Sequence, residues 1–129
     1  RGISTSDVEF QSDVDRVKSH LRYAQSASLN SDSTWGIDFT GGTYSLYKWD
    51  TAGGGAKVKI KIPGEDSTDL NMPEGSSITQ TVSFSHEEWG APSTDADADP
   101  IALADITLTF TGTSISRSVT IYKNTGYIP

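Results

Sequence analysis

The chain contains no cysteine in 129 residues, so neither a disulfide framework nor a thiolate metal site is available to it. That absence excludes no cellular compartment. No apolar run approaches the roughly 20 residues needed to cross a bilayer, and no stretch reads as a secretory leader. The first residue is Arg1 rather than methionine, which raises the expectation of a processed or truncated product. Hydrophobic residues are also scarce, at 34%, while serine and threonine recur in nearly every segment, so a thin core under a polar surface is expected. Basic side chains number ten against seventeen acidic ones, a formal charge of -7 that repels polyphosphate and argues against nucleic acid as the main partner. The length suits one domain around one core.

The motifs of catalysis are missing as well. A serine nucleophile needs a base in reach and a turn that exposes it, but there is no G-x-S-x-G. The only histidines are His20, within a helical segment, and His86, after a strand, and both read as surface or structural residues. No H-x-x-x-H, H-E-x-x-H or paired cysteine offers a zinc site. The triple glycine at 53–55 leads into a strand rather than a helix, which is not a phosphate loop. No cofactor and no catalytic residue are expected.

What is present begins with a helix. Ile3, Phe10, Val14, Val17, Leu21 and Ala24 recur at spacings of seven, four, three, four and three, one narrow apolar stripe on a helical wheel. Ser6 and Glu9 have the form of a capping box, which predicts a helix over about 7–28, yet Ile3 continues the stripe upstream. The helix therefore either starts near Asp7 or runs further toward the N-terminus. Its acids precede its bases, an order that suits the helix dipole and permits Asp13–Arg16 and Asp15–Lys18 pairs.

After Ser28 the period changes to two. Trp35, Ile37 and Phe39 alternate with polar or small residues, and Gly41-Gly42 turns the chain into a second strand over 44–49, a hairpin. Over 57–62, Val58, Ile60 and Ile62 face one way and Lys57, Lys59 and Lys61 the other. Further strands are predicted over 78–84, 105–110 and 118–123, separated by linkers at 65–77 and 87–100. The strict alternation of Ile106, Leu108 and Phe110 with polar neighbours belongs to an antiparallel sheet with one covered face. One long amphipathic helix and about six strands over 35–129 make an α+β domain spanning 1–129, with the stripe of Phe10, Val14, Val17, Leu21 and Ala24 lying across the sheet.

Several segments resemble type IV minor pilins and the H-type pseudopilins of type II secretion, the GspH/FimT-like group. They are Leu21-Arg22-Tyr23-Ala24-Gln25 followed by Trp35-Gly36-Ile37, then Phe84 followed by Gly90-Ala91-Pro92, and the finish from Val119 through Lys123-Asn124-Thr125-Gly126-Tyr127. Their order and spacing over nearly the whole chain carry the resemblance. It implies a pilin-like fold and a structural subunit, held in the inner membrane with this domain in the periplasm, or extracellular in a pilus. Its partners would be other pilin or pseudopilin subunits. Members of the group begin with a hydrophobic helix that this chain lacks, and the stripe reaching back to Ile3 is what a cut through such a helix would leave.

Other features carry a second class of reading, a binding module. Asp95, Asp97 and Asp99 alternate as calcium-loop carboxylates do, and Asp105 would close a loop different from an EF-hand. However, Pro100 and Ile106 stand where an EF-hand needs glycine and glutamate, so a solvated acidic linker is the expectation. Trp35, Trp49 and Trp89 suggest an aromatic platform for sugars, although alternation makes Trp35 a core residue. The three lysines would suit an acidic partner or DNA, but on a strand face they read as solvated or as a guard against edge pairing. Val8 and Tyr23 project from the helix away from the stripe, where a neighbouring subunit would cover them.

Overall fold

The computed structural model describes residues 5–50, 54–112 and 115–129. Helix α1 (Thr5–Leu29) opens the chain. The strands follow as β1 (Trp35–Thr40), β2 (Thr43–Asp50), β3 (Ala56–Ile60), β4 (Leu70–Asn71), β5 (Gln80–Phe84), β6 (Pro92–Ser93), β7 (Ile106–Thr111) and β8 (Ser116–Ile121). Six of them form an antiparallel sheet in the order β3-β2-β1-β5-β6, with β4 also paired to β2, while β7 and β8 form a separate hairpin. The α+β expectation is met. Among the described residues, no helix is long and apolar enough to cross a membrane.

Helix α1 is longer at both ends than the expected 7–28. Thr5 and Ser6 already lie inside it, so Ser6 is not its N-cap, and Ile3 lies outside the described residues. The Asp15–Lys18 pair forms at 3.9 Å. The Asp13–Arg16 pair does not appear among the described ion pairs. The stripe is sealed: Phe10, Val14, Val17, Leu21 and Ala24 are all buried. They pack on the sheet residues Ile37, Phe39, Leu46, Val82 and Phe84, and on Leu108, Phe110, Val119 and Ile121 of the β7–β8 hairpin. One helix stripe thus closes a core between two sheets, burial being the main favourable term in folding.

The predicted β1–β2 hairpin forms across Gly41-Gly42, where Gly41 supplies a φ of 59°. The other strand boundaries shift for visible reasons. β3 ends at Ile60 rather than residue 62 because β4 pairs Leu70 with Tyr44 and takes over the remaining edge of β2. Ile62 is buried outside any strand, whereas Val58, facing the helix side through its register with Lys48, is left exposed on the edge strand. β5 starts at Gln80 because the Ile78 amide bonds the Gly41 carbonyl at 3.0 Å, tying residue 78 to the hairpin turn. β8 stops at Ile121 because the Tyr122 amide turns to the Tyr127 carbonyl at 3.0 Å.

The alternation read over 106–110 is met in β7, where Ile106, Leu108 and Phe110 are buried and the threonines between them exposed, whereas the large sheet also has buried residues on its outer face. Its outer face carries Gly36, Ser45, Tyr47 and Ser83, and Tyr47 and Ser83 are buried there under the segment 94–100, to which both hydroxyls bond. Trp35, expected in the core, is only partly buried and packs against its margin, with its indole Nε1 donating to Ser31 Oγ at 3.1 Å.

Candidate functional site

The acidic tract is held by its backbone. The Tyr47 hydroxyl donates to the Ala96 carbonyl at 2.9 Å, Thr34 Oγ1 to that of Asp97 at 3.4 Å, and Ser83 Oγ to that of Asp95. Ser93 Oγ accepts from the Asp95 amide at 3.0 Å and donates to the Pro100 carbonyl at 2.6 Å. Segment 94–100 is therefore docked through its backbone, while Asp95, Asp97 and Asp99 are exposed, as a solvated acidic linker would have them. Asp97 Oδ1 caps the Asp99 amide at 3.1 Å, a local turn bond. Asp105 accepts from the Lys123 amide at 2.9 Å and so joins β7 to the end of β8 rather than closing a loop with the tract. Among the described residues, no three acidic or histidine side chains gather where they could hold a metal ion.

Beside this tract, at the end of the sheet, Trp49 borders a cleft of about 580 Å³ with Asp32, Glu87, Glu88, Asp97 and Asp99. Trp35 and Trp49 project to opposite sheet faces, since Trp35 pairs with Lys48, the residue before Trp49. The three tryptophans therefore do not make one platform. Trp89 stands on a turn, 79% exposed.

The histidines divide. His20 is buried at the helix–sheet junction, its Nδ1 2.8 Å from the Tyr44 hydroxyl and its Nε2 3.4 Å from Glu65. Burial, together with the nearby Arg16 charge, lowers its pKa against the opposing pull of Glu65. Burial raises that of Tyr44. This is a polar pin between α1, β2 and the 61–69 loop, and among the described residues no serine or threonine hydroxyl joins it. His86 lines the cleft beside Glu87, at 3.7 Å.

The lysines are largely spent within the fold. Lys57 pairs with Asp38 at 2.8 Å, while Lys59 pairs with Asp69 at 2.7 Å. Asp38 also accepts from Thr81 Oγ1 at 2.7 Å, so its charge is shared across β1, β3 and β5.

The outward face of α1 presents Val8, 54% exposed, and Tyr23, 38% exposed, as the sequence suggests, with Leu29 at its end. Toward the C-terminal half, polar helix residues fasten the loops. Gln25 Nε2 donates to the Gly90 carbonyl at 3.2 Å and to that of Thr125 at 3.0 Å, and Arg22 donates to that of Ile128 at 3.0 Å. Ser28, fully buried, donates to the Phe84 carbonyl at 2.7 Å and accepts from the Trp35 amide at 2.7 Å. Ser28 continues the stripe four residues after Ala24 but, being polar, leaves no hydrophobic signal in the sequence.

No protein-family model matches the chain, and no curated protein or solved structure matches it either.

Proposed function

We propose that the protein is a non-enzymatic structural subunit of pilin type, a minor pilin or pseudopilin, that works by packing against other such subunits in a pilus or a secretion pseudopilus. The observation that carries this reading is the division of labour on α1. One stripe of the helix is sealed onto the sheet and hairpin, while the opposite face leaves Val8 and Tyr23 exposed to solvent, and no described residue covers them fully. A helix long enough to organise the whole domain, yet open along its other side, suits a subunit that adds helix against helix. The order of the short pilin-like segments supports the same reading.

On this reading an N-terminal apolar helix outside the present chain holds the subunit in the inner membrane, with this domain in the periplasm, until assembly. Fractionation of the natural full-length product tests it. The product should remain with the inner membrane in high salt, dissolve in detergent, and appear in filaments sheared from assembling cells. Release by salt alone would contradict the reading.

A second reading, an extracellular binding module, draws on the cleft beside Trp49. A glycan array tests it, and the assembly reading expects no specific signal. Sugar binding abolished by Trp49→Ala would put the binding module first.

A further inference from the structure

We propose that two surfaces at opposite ends of α1 fit each other head to tail between copies of this chain, the Trp89 ridge of one copy seating in the groove beside Val8 and Ile115 of the next. The contact rests on the assembly reading for its setting and supplies that reading with a subunit interface.

The ridge is an aromatic patch on two touching turns. Trp89 is 79% exposed and holds a φ of 54°, a conformation that a bulky side chain rarely adopts. The turn that holds it is fastened at several points. The Gly90 amide bonds the Ser85 carbonyl at 2.8 Å, and Ser85 Oγ accepts from the amides of Glu87 and Glu88 at 3.2 and 3.0 Å. Gln25 then clamps this turn to the one at 123–127. That second turn carries Tyr122 and Tyr127, which are 42% and 59% exposed and stack with centroids 6.0 Å apart. Exposed tryptophan and tyrosine are the kind of anchor that dominates protein interfaces, and here the backbone beneath Trp89 and the stack of Tyr122 on Tyr127 are already ordered before binding. A ring so far out of the surface is a knob and needs a hollow opposite it.

The same chain has such a hollow. Between the first half of α1 and the start of β8 lies a groove of about 340 Å³, bordered by Val8 and Ile115 with Gln11, Ser12 and Arg117. Val8 is 54% exposed in it. Charge sets the orientation of the fit. Glu87 and Glu88 precede Trp89, and Arg117 is the cation among the residues of the groove. Its Nε donates to Gln11 Oε1 at 2.7 Å and its Nη1 to the Ser116 carbonyl at 3.0 Å, both neutral partners that leave its charge uncompensated by an acid among the described residues. Asp7 and Asp15 lie on the helix side, and Asp15 is engaged by Lys18 at 3.9 Å and by Gln11 at 3.1 Å. The acidic pair therefore turns toward Arg117 and away from the helix acids.

Val8 and Gln25 are separated by about 25 Å along α1, at roughly 1.5 Å per residue. Two different patches at the two ends of one helix make a heterologous contact, which adds copies in a row or ring and cannot close as a two-fold pair.

The chain has no native cysteine, so engineered pairs report the contact directly. In concentrated protein under mild oxidation, the double variant Val8→Cys with Glu87→Cys should give a ladder of disulfide-linked oligomers. An equimolar mixture of the two single variants should yield the mixed 8–87 dimer and no higher species by this bond. Val8→Cys combined with Thr107→Cys, on the exposed face of β7, is the control and should give no ladder. Adding Trp89→Ala, an exposed site whose loss leaves the fold intact, should lower the ladder yield by about ten-fold or more. Arg117→Glu should lower it too, and Glu88→Arg with Arg117→Glu should restore it. A yield equal to the control, predominant 87–87 dimers, or a ladder indifferent to Trp89→Ala would overturn the contact. Its failure in a protein that does carry a retained membrane helix would remove this interface and leave the assembly reading standing.

Discussion

Gly36 and Tyr47 face each other across the β1–β2 pair, and the tyrosine hydroxyl fills the space where a side chain at 36 would begin. A Cβ at that position would lie 2.7 Å from Tyr47 Oη, 2.6 Å from the Val82 carbonyl oxygen and 2.8 Å from Ser83 Cα. Two of these neighbours are backbone of the adjacent strand and have no rotamer to yield. The missing side chain lets Tyr47 lie flat on the outer face and reach the Ala96 carbonyl, which is what docks the acidic tract.

Gly36→Ala should therefore destabilise the protein by about 1 to 3 kcal/mol, the usual range for overpacking. Chemical denaturation measures it. An unchanged midpoint would mean that the sheet relaxes freely at this point and that the close approach has no structural weight.

Leu21 is fully buried at the middle of the helix stripe, between the two sheets. Leu21→Ala should cost about 2 to 5 kcal/mol, transfer and cavity terms together. A loss below about half a kcal/mol would contradict the packing of α1 as the element that closes the core.

The helix stripe, the hairpin and the α+β class were legible because their apolar residues keep a regular period and local preference agrees with the final packing. All five stripe residues expected in the core are there. Other parts left no periodic trace. β4 and β6 have two residues each, too few to alternate. Ser28 sits at a stripe position but is held by two backbone bonds rather than by hydrophobic burial. Tyr47 and Ser83 stand where a solvent face would be read, and they are covered by the segment 94–100, which for Tyr47 arrives from 49 residues along the chain. The acidic tract is solvated along its carboxylates, as its composition implies, and its docking is invisible in the sequence because backbone carbonyls make the contacts.

His20 predicts an acid limb in the stability profile. Its pKa is lowered in the folded state, chiefly by burial, so the unfolded chain binds the proton more readily. The stability it contributes is fully present above the unfolded histidine value of about 6.5 and is lost as pH falls below it. Tyr44 and Tyr47 have the opposite shift, both raised mainly by burial, so a further loss is expected as pH rises above about 10. Unfolding free energies of wild type and His20→Gln, compared between pH 8 and pH 5, check the first claim. The variant should lose less stability on acidification, and equal slopes would contradict the assignment.

Calcium should add little. The tract is shaped by its carbonyls on Tyr47, Thr34 and Ser83, and Asp97 is committed to the Asp99 amide. Calorimetry on chelator-treated protein should show no saturable binding tighter than about 10 μM, within the range of calcium sensors. Tighter binding that disappears in Asp97→Ala would promote the calcium-stabilised binding module over the assembly subunit.

On the proposed function, this domain is the exported part of a subunit that is stored in a membrane and then bundled into a filament. The coding sequence immediately upstream of Arg1 tests it most directly. A pilin-type subunit should have there a segment that continues the register of α1 into about 20 apolar residues, preceded by a short basic leader ending in a peptidase site. A cleavable secretory signal with no retained apolar helix would contradict it, because such a protein could be neither held in the membrane nor packed into a filament core.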